Sequence, residues 1–351
     1  MQILLDYSLD ELKEILVSMG EQKFRAMQIY NALYQGKSFG EITTIGQNLK
    51  DKLLANYISQ PVTILKKLIS QDGTVKFLYK LSDNNVIEGV LMQYKYGYTL
   101  CVSTQIGCRM HCKFCASGLN GLVRNLSSGE ILGQVIQANN FLSGRLGENR
   151  KITNIVLMGS GEPLDNYDNV TKFLDLVSSE NGLNISQRNI SLSTCGIVPN
   201  IYKLADDGYK ITLTISLHAP DDKRRKKIMP IANKYSIEQI LDACKYYFKK
   251  TKRRIVFEYV LVAGVNNDDY SIKKLATFAK NICYHVNVIA LNNVDESGLK
   301  ATTRENAKKF VDELNKLGCS ATLRRTIGSD IEGACGQLRQ RYINGENVGG
   351  N

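Results

Sequence analysis

From about residue 94 the chain alternates between short β-branched runs and longer helix-like segments, and this rhythm constrains its fold more than any other feature. The runs are Tyr98–Thr104, Ile152–Met158, Ile190–Thr194, Ile211–Leu217, Ile255–Val262, Val286–Leu291 and Ala321–Arg325. Helix-like segments lie near residues 127–143, 166–180, 199–208, 236–250, 268–282 and 303–317. Ser127-Ser-Gly-Glu130 and Ser236-Ile-Glu-Gln239 start two of them as capping boxes, in which side chains satisfy the first free N–H groups of a helix. Strands that alternate with helices make parallel βαβ units with right-handed crossovers. The predicted architecture is α/β, a partial parallel (β/α)6 barrel. A fuller barrel and an open doubly wound sheet are the other possible closures.

The region upstream differs. Residues 1–60 read as helical, with a capping box at Ser8-Leu-Asp-Glu11 ahead of Leu12, Ile15 and Leu16. Phe24 to Tyr34 places Met27, Ile29, Tyr30 and Leu33 on helical spacing. Residues 61–93 carry β-type runs, Val62–Leu65 and Val75–Tyr79, split by Gln71-Asp-Gly73. The expected division is an accessory domain over 1–93, a barrel over 94–330, and a C-terminal segment over 331–351. The stretch Asn344–Asn351 within that segment is expected to be disordered.

In parallel α/β folds ligands gather at the carboxyl ends of strands. The unusual residues of this chain fall there. Cys108, Cys112 and Cys115 follow the first strand, Gly159-Ser-Gly-Glu-Pro163 the second, and Ser193-Thr-Cys-Gly196 closes the third. Ser216-Leu-His218 closes the fourth and Asn292-Asn293 follows the sixth. The C-x3-C-x2-C spacing supplies three thiolates from one loop, whereas a structural zinc site takes four closed ligands. Three clustered thiolates suit a [4Fe–4S] cluster with one iron open to a non-protein ligand. Zinc stays a competing reading, with His111 as a candidate fourth ligand. Two further cysteines stand apart. Cys335 lies in a Gly-rich loop after the last strand, the setting of an accessible thiol, and Cys101 lies inside the first strand, seven residues before the cluster loop. Cys244, Cys283 and Cys319 read as packing or surface residues, and His285 as structural.

Nine cysteines without an export signal read as reduced thiols, ligands or catalysts rather than a disulfide framework, and no apolar run approaches membrane-spanning length. A cytoplasmic protein without membrane contact is expected. The net charge of +11, with dense runs at Asp222–Lys227 and Lys249–Arg254, suggests a polyanionic partner, nucleic acid first.

These residues together resemble one family. The cysteine loop with Phe114 before its last ligand, plus Gly159-Ser-Gly-Glu-Pro163, is similar to the radical S-adenosylmethionine superfamily. Ser193-Thr-Cys-Gly196, Ser216-Leu-His-Ala-Pro220, Met229-Pro-Ile, Gly264-Val-Asn-Asn267 and Gly328–Leu338 narrow the likeness to the RlmN/Cfr group of RNA adenine methyltransferases. The pair of Cys335 and Cys101 is its most specific part. Ser160 and Gly333 depart from the group's usual Met and Ala, which bears on loop packing more than on reactive groups.

The resemblance implies a [4Fe–4S] cluster on Cys108, Cys112 and Cys115, its open iron taking the amino and carboxylate groups of S-adenosyl-L-methionine. Cofactor contacts carry over to Gly161, Glu162, Ser193, Ser216, Leu217, His218 and Asn292. Two cofactor molecules are used per turnover, one methylating Cys335 and one giving a radical that activates this S-methyl group. Cys101 then releases the product by forming a disulfide with Cys335, and Glu88 matches the family's proton acceptor. Implied partners are 23S rRNA at the peptidyl-transferase adenine, tRNA at the adenine 3′ of the anticodon, and an electron donor such as flavodoxin or ferredoxin. The enzyme is expected to be a monomer whose residues 1–93 bind RNA. Pro163 and Val262-Ala-Gly-Val favour methylation at adenine C2 over the Cfr-type C8. Non-family alternatives are a zinc-containing, non-enzymatic RNA-binding protein and a radical enzyme acting on small molecules.

Overall fold

The chain begins with a two-residue strand, β1 (Gln2–Ile3), and three helices, α1 (Leu9–Ser18), α2 (Arg25–Tyr34) and α3 (Gln47–Asn56). β2 (Tyr57–Ile58) then pairs with β1 in parallel. The structure is a computed structural model describing residues 1–144, 146, 149–279, 282–291, 298–325, 327–331 and 337–345. The Ser8 capping box forms: the Ser8 hydroxyl accepts the Glu11 N–H at 3.2 Å and the Glu11 carboxylate accepts the Ser8 N–H at 2.7 Å. α1 buries Leu9, Leu12 and Leu16, and α2 forms where helical spacing predicts a helix, burying Ile29, Tyr30 and Leu33 and leaving Met27 exposed.

An antiparallel meander follows, built of β3 (Val62–Ile69), β4 (Val75–Leu81), β5 (Val86–Tyr94) and β6 (Gly97–Cys101). The hairpin expected at Gln71-Asp-Gly73 is present, and Gly73 takes the positive φ of +82° that its turn requires. A small hairpin of β7 (Gln105–Gly107) and β8 (Leu122–Asn125) encloses the cysteine loop.

The alternating part then runs α4 (Ser128–Phe141), β9 (Ile152–Leu157), α5 (Tyr167–Ser178), β10 (Ile190–Thr194), α6 (Val198–Asp206) and β11 (Thr212–Ser216). It continues with α7 (Asp222–Ile228), α8 (Ile237–Thr251), β12 (Ile255–Leu261), α9 (Asp269–Leu275), β13 (Tyr284–Ala290), α10 (Arg304–Lys316), β14 (Ala321–Leu323) and α11 (Gln337–Ile343). All seven predicted strands form, and both predicted capping boxes, at Ser127 and Ser236, close with their Glu130 and Gln239 partners.

One ten-stranded sheet carries the order β14-β13-β12-β11-β10-β9-β6-β5-β4-β3. Every neighbour pair from β6 to β14 is parallel, and every pair from β3 to β6 is antiparallel. β6 is therefore the hinge strand between two halves. The meander extends the barrel sheet instead of standing beside it. A contiguous apolar core reaches from Leu4 through the sheet to Ala321, so the N-terminal helices pack into the same interior.

Two segments differ from the sequence reading. The helix expected over 268–282 ends at Leu275. The run Asp222–Lys227, read for its charge alone, forms α7, because the Asp221 carboxylate caps it by accepting the Arg224 N–H at 2.9 Å.

Candidate active site

Cys108, Cys112 and Cys115 are presented by the loop between β7 and β8. Gly107 sets its entry: φ is +77°, and a Cβ there would lie 2.0 Å from the Gly121 carbonyl oxygen. Only glycine allows that approach. The Cys108 N–H donates to the same Gly121 carbonyl at 2.9 Å, and the Cys115 N–H to the Cys112 carbonyl at 3.0 Å, which folds the loop back on itself. Upstream, the Gln134 side chain clasps the backbone of Ser103 with two 2.9 Å bonds, and Arg109 pairs with Asp165 at 2.8 Å.

The loop supplies three thiols, the donor set of a cluster with one iron open to another ligand. His111, the candidate fourth ligand, turns Nδ1 to the Gly118 carbonyl at 3.0 Å. Burial pushes the Cys108 thiol up to about 12 and the Cys112 thiol also upward. Such thiols become thiolates when a cationic metal centre compensates them.

A cavity of about 220 Å³ opens against the three thiols and is also lined by Gly161, Glu162, Ser193, Ser216 and His218. Four of the five predicted strand ends thus converge; the fifth, with Asn292, lies outside the described residues. Gly161 has φ +109°, and a Cβ would sit 2.6 Å from the Gln105 side chain. The fully buried Glu162 carboxylate accepts the Leu164 N–H at 3.0 Å and the Cys195 N–H at 2.7 Å. Loss of hydration raises its pKa despite these bonds. The Ser193 and Ser216 hydroxyls meet at 3.4 Å across adjacent strands. Ser160, at the position where the resembled group has Met, is buried and its N–H donates to the Ser103 hydroxyl at 3.0 Å.

His218 has φ +57°, and its Nδ1 accepts the Val260 N–H at 3.1 Å, which leaves Nε2 as the protonated nitrogen. Burial lowers its pKa to about 3, so the ring is a neutral donor at any ordinary pH. Phe114 packs edge-on to it, with ring centroids 4.5 Å apart. Leu217 is buried behind the cavity rather than lining it, its N–H on the Glu258 carbonyl at 3.1 Å.

Glu88 and Cys101 stand to one side of this cavity. Cys101 packs with Val90, Met92, Val156 and Met158, the last of which also lines the cavity. Glu88 lies two residues from Val90, the cross-strand partner of Cys101, so both side chains share one face. Its carboxylate pairs with Lys76 at 3.3 Å and accepts the backbone N–H of Arg339. Cys335 lies outside the described residues.

Three cavity residues escaped the sequence reading. Glu258 is buried on β12 and takes both 3.0 and 3.2 Å bonds from the Asn287 amide, while Arg324 on the neighbouring lining opposes its charge. A carboxylate inside the apolar run Val256-Phe-Glu-Tyr-Val260 was the available signal, since such a residue needs partners. Cys195 lines the cavity beside the Glu162 carboxylate, inside a motif read only for Ser193.

A parallel-dominated sheet with a three-thiol loop at its rim defines the class, a radical S-adenosylmethionine protein. The sequence profile of the Radical SAM superfamily matches residues 102–276, and that of the ribosomal RNA large subunit methyltransferase N-terminal domain matches residues 3–58. A probable dual-specificity RNA methyltransferase RlmN of Clostridium novyi is 50% identical over 98% of this chain and 99% of its own length. The corresponding Clostridium perfringens protein is 53% identical over 98% of each chain. The crystal structure of a radical SAM methyltransferase from Sphaerobacter thermophilus superposes with a TM-score of 0.91 at 37% identity, over 96% of this chain and 99% of that one. The chain belongs to the RlmN family of radical S-adenosylmethionine RNA methyltransferases.

Proposed function

We propose that the chain methylates C2 of an adenine in 23S rRNA, at the peptidyl-transferase centre, and of the adenine 3′ of the anticodon in tRNA. The observation that carries this reading is the meeting of Cys108, Cys112, Cys115, Glu162, Ser193, Ser216 and His218 around one cavity, in a chain similar over nearly its whole length to relatives described as dual-specificity. A [4Fe–4S] cluster on the three thiolates supplies, when bound, the electron for reductive cleavage of S-adenosylmethionine.

The chain's own groups bind and orient that cofactor. Gly161 lets it approach the backbone, and Glu162 keeps lone pairs beyond those used by Leu164 and Cys195. The Ser193 and Ser216 hydroxyls and the neutral His218 Nε2–H provide polar anchors in a site whose apolar lining includes Phe114 and Met229. S-Adenosylmethionine serves both as methyl donor and as radical source, two molecules per turnover. Cys335 is the methyl carrier, Cys101 the thiol that resolves the protein–RNA link through a disulfide. Glu88, which lies 3.3 Å from the Lys76 ammonium, accepts the adenine proton.

The net charge of +11 holds phosphates while RNA shape selects the site, and the target adenine is presented out of its stack. Residues 1–93 form the RNA-contacting accessory part. No helix of the described residues is long and apolar enough to cross a membrane. A flavodoxin or ferredoxin is the electron donor of a cytoplasmic monomer in this reading. Mass spectrometry of hydrolysed rRNA and tRNA after anaerobic reaction tests it. 2-Methyladenosine is the expected product; 8-methyladenosine would overturn the regiochemistry, and no methylated adenosine the function.

A further inference from the structure

The basic run Asp222–Lys227 exposes Lys223, Lys226 and Lys227, but not Arg225, which is 0% exposed. Arg225 Nε donates to the Leu217 carbonyl at 3.1 Å, and Nη2 to the carbonyls of Cys195 at 2.6 Å and Ser216 at 3.2 Å. Nη1 is buried and has no hydrogen-bond partner among the described residues. A guanidinium fully removed from water usually meets a carboxylate. Here its hydrogen-bond partners are neutral carbonyls, and the Asp222 carboxylate of its own helix acts on it only through space, its Oδ1 accepting the Ile237 N–H instead.

That charge sits behind the cysteine loop. The Lys113 N–H donates to the Ile228 carbonyl at 3.0 Å, which ties the end of α7 to the loop. Ile228 and Met229 pack with Cys108, Met110 and Cys195, and Cys112 packs against this group. Arg225 Nη2 thus bonds the carbonyl of Cys195, a residue packed in the same group as Cys108 and Cys112.

We propose that Arg225 is a positioning residue that compensates the charge of an iron–sulfur cluster on Cys108, Cys112 and Cys115, and so raises its reduction potential. The proposal rests on the reading of those thiols as cluster ligands. Three thiolates give such a cluster net negative charge, and each one-electron reduction by an external donor deepens it. A fixed buried cation nearby stabilises the reduced state more than the oxidised one, and burial leaves the effect little screened by salt. The same side chain joins the ends of β10 and β11, which carry Ser193 and Ser216, so cluster and cofactor anchors share one support.

The test compares Arg225→Lys and Arg225→Gln in anaerobically reconstituted full-length protein, titrated with dithionite and followed by electron paramagnetic resonance without cofactor or RNA. Both replacements can donate hydrogen bonds, but only lysine keeps the charge. R225Q should shift the midpoint to more negative potential, several times further than R225K does. An R225Q midpoint equal to that of the parent overturns the proposal. If R225Q fails to retain the cluster while R225K retains it at the same Tm, charge is needed even for retention, which supports the proposal. Equal loss in both overturns it. A parent protein that takes up no four-iron cluster overturns the ligand assignment itself, and Arg225's role with it.

Discussion

In the antiparallel half of the sheet, Lys76 and Glu88 are both buried and meet at 3.3 Å, with the Arg339 N–H also on the carboxylate. In the parallel half, Glu162, His218 and Glu258 are equally buried, yet among the described residues none of them makes an ion pair within 4 Å. Their partners are backbone N–H groups and the Asn287 amide. Topology explains part of the difference. In the antiparallel meander Lys76 stands opposite Val90 and Glu88 opposite Leu78, so the two charged side chains are diagonal neighbours on one face, within reach of each other. Parallel strands end together on one rim, where polar groups face a shared cavity and keep capacity for a ligand. One half holds its charges closed; the other holds its polar groups open.

The largest expected effect breaks the open half. Cys112→Ala should remove bound iron and cofactor cleavage completely, whereas Cys335→Ala should keep the iron and RNA binding but abolish methyl transfer. Iron analysis and product assays of both variants check this. A C335A enzyme that still turns over would refute the assigned methyl carrier.

Next, Lys76→Met strands a buried carboxylate, and a loss of about 3–5 kcal/mol is expected in urea unfolding. The double variant Lys76→Met with Glu88→Gln should recover most of that stability without recovering methylation. Full stability in K76M alone would show that the closed half does not depend on its ion pair.

A smaller effect concerns pH. His218 stays neutral in the folded chain down to about pH 3, while an unfolded histidine titrates near 6.5. The unfolded state therefore binds the extra proton as pH falls below 6.5, and this contribution to stability is lost from there toward pH 3. The slope is up to about 1.4 kcal/mol per pH unit for one group. Denaturation between pH 7.5 and 4.5 should show a shallower decline in His218→Gln than in the parent.

The smallest effect touches neither half. Ser236→Ala removes the cap of α8 and should cost about 1 kcal/mol of stability, read as a lower Tm, with the cavity unchanged.

What the sequence disclosed follows the same division. Strands and capping boxes were legible because burial on both faces leaves long β-branched runs and because caps are local. Strand-end convergence followed from topology, which brought Cys108, Glu162, Ser193 and His218 together. Arg225 was not legible: within a basic run nothing local separates it from its exposed neighbours, and only the packing of α7 against the cysteine loop buries it. Glu258 depended on a partner, Asn287, that comes from the next strand. The continuity of the meander with the barrel sheet hinged on β6, whose dual pairing is a long-range property.

Anaerobic reconstitution with iron and sulfide, followed by reduction in the presence of S-adenosylmethionine, tests the open rim most directly. About four irons per chain and release of deoxyadenosine are predicted. One tightly held zinc, with no cofactor cleavage, would contradict the account.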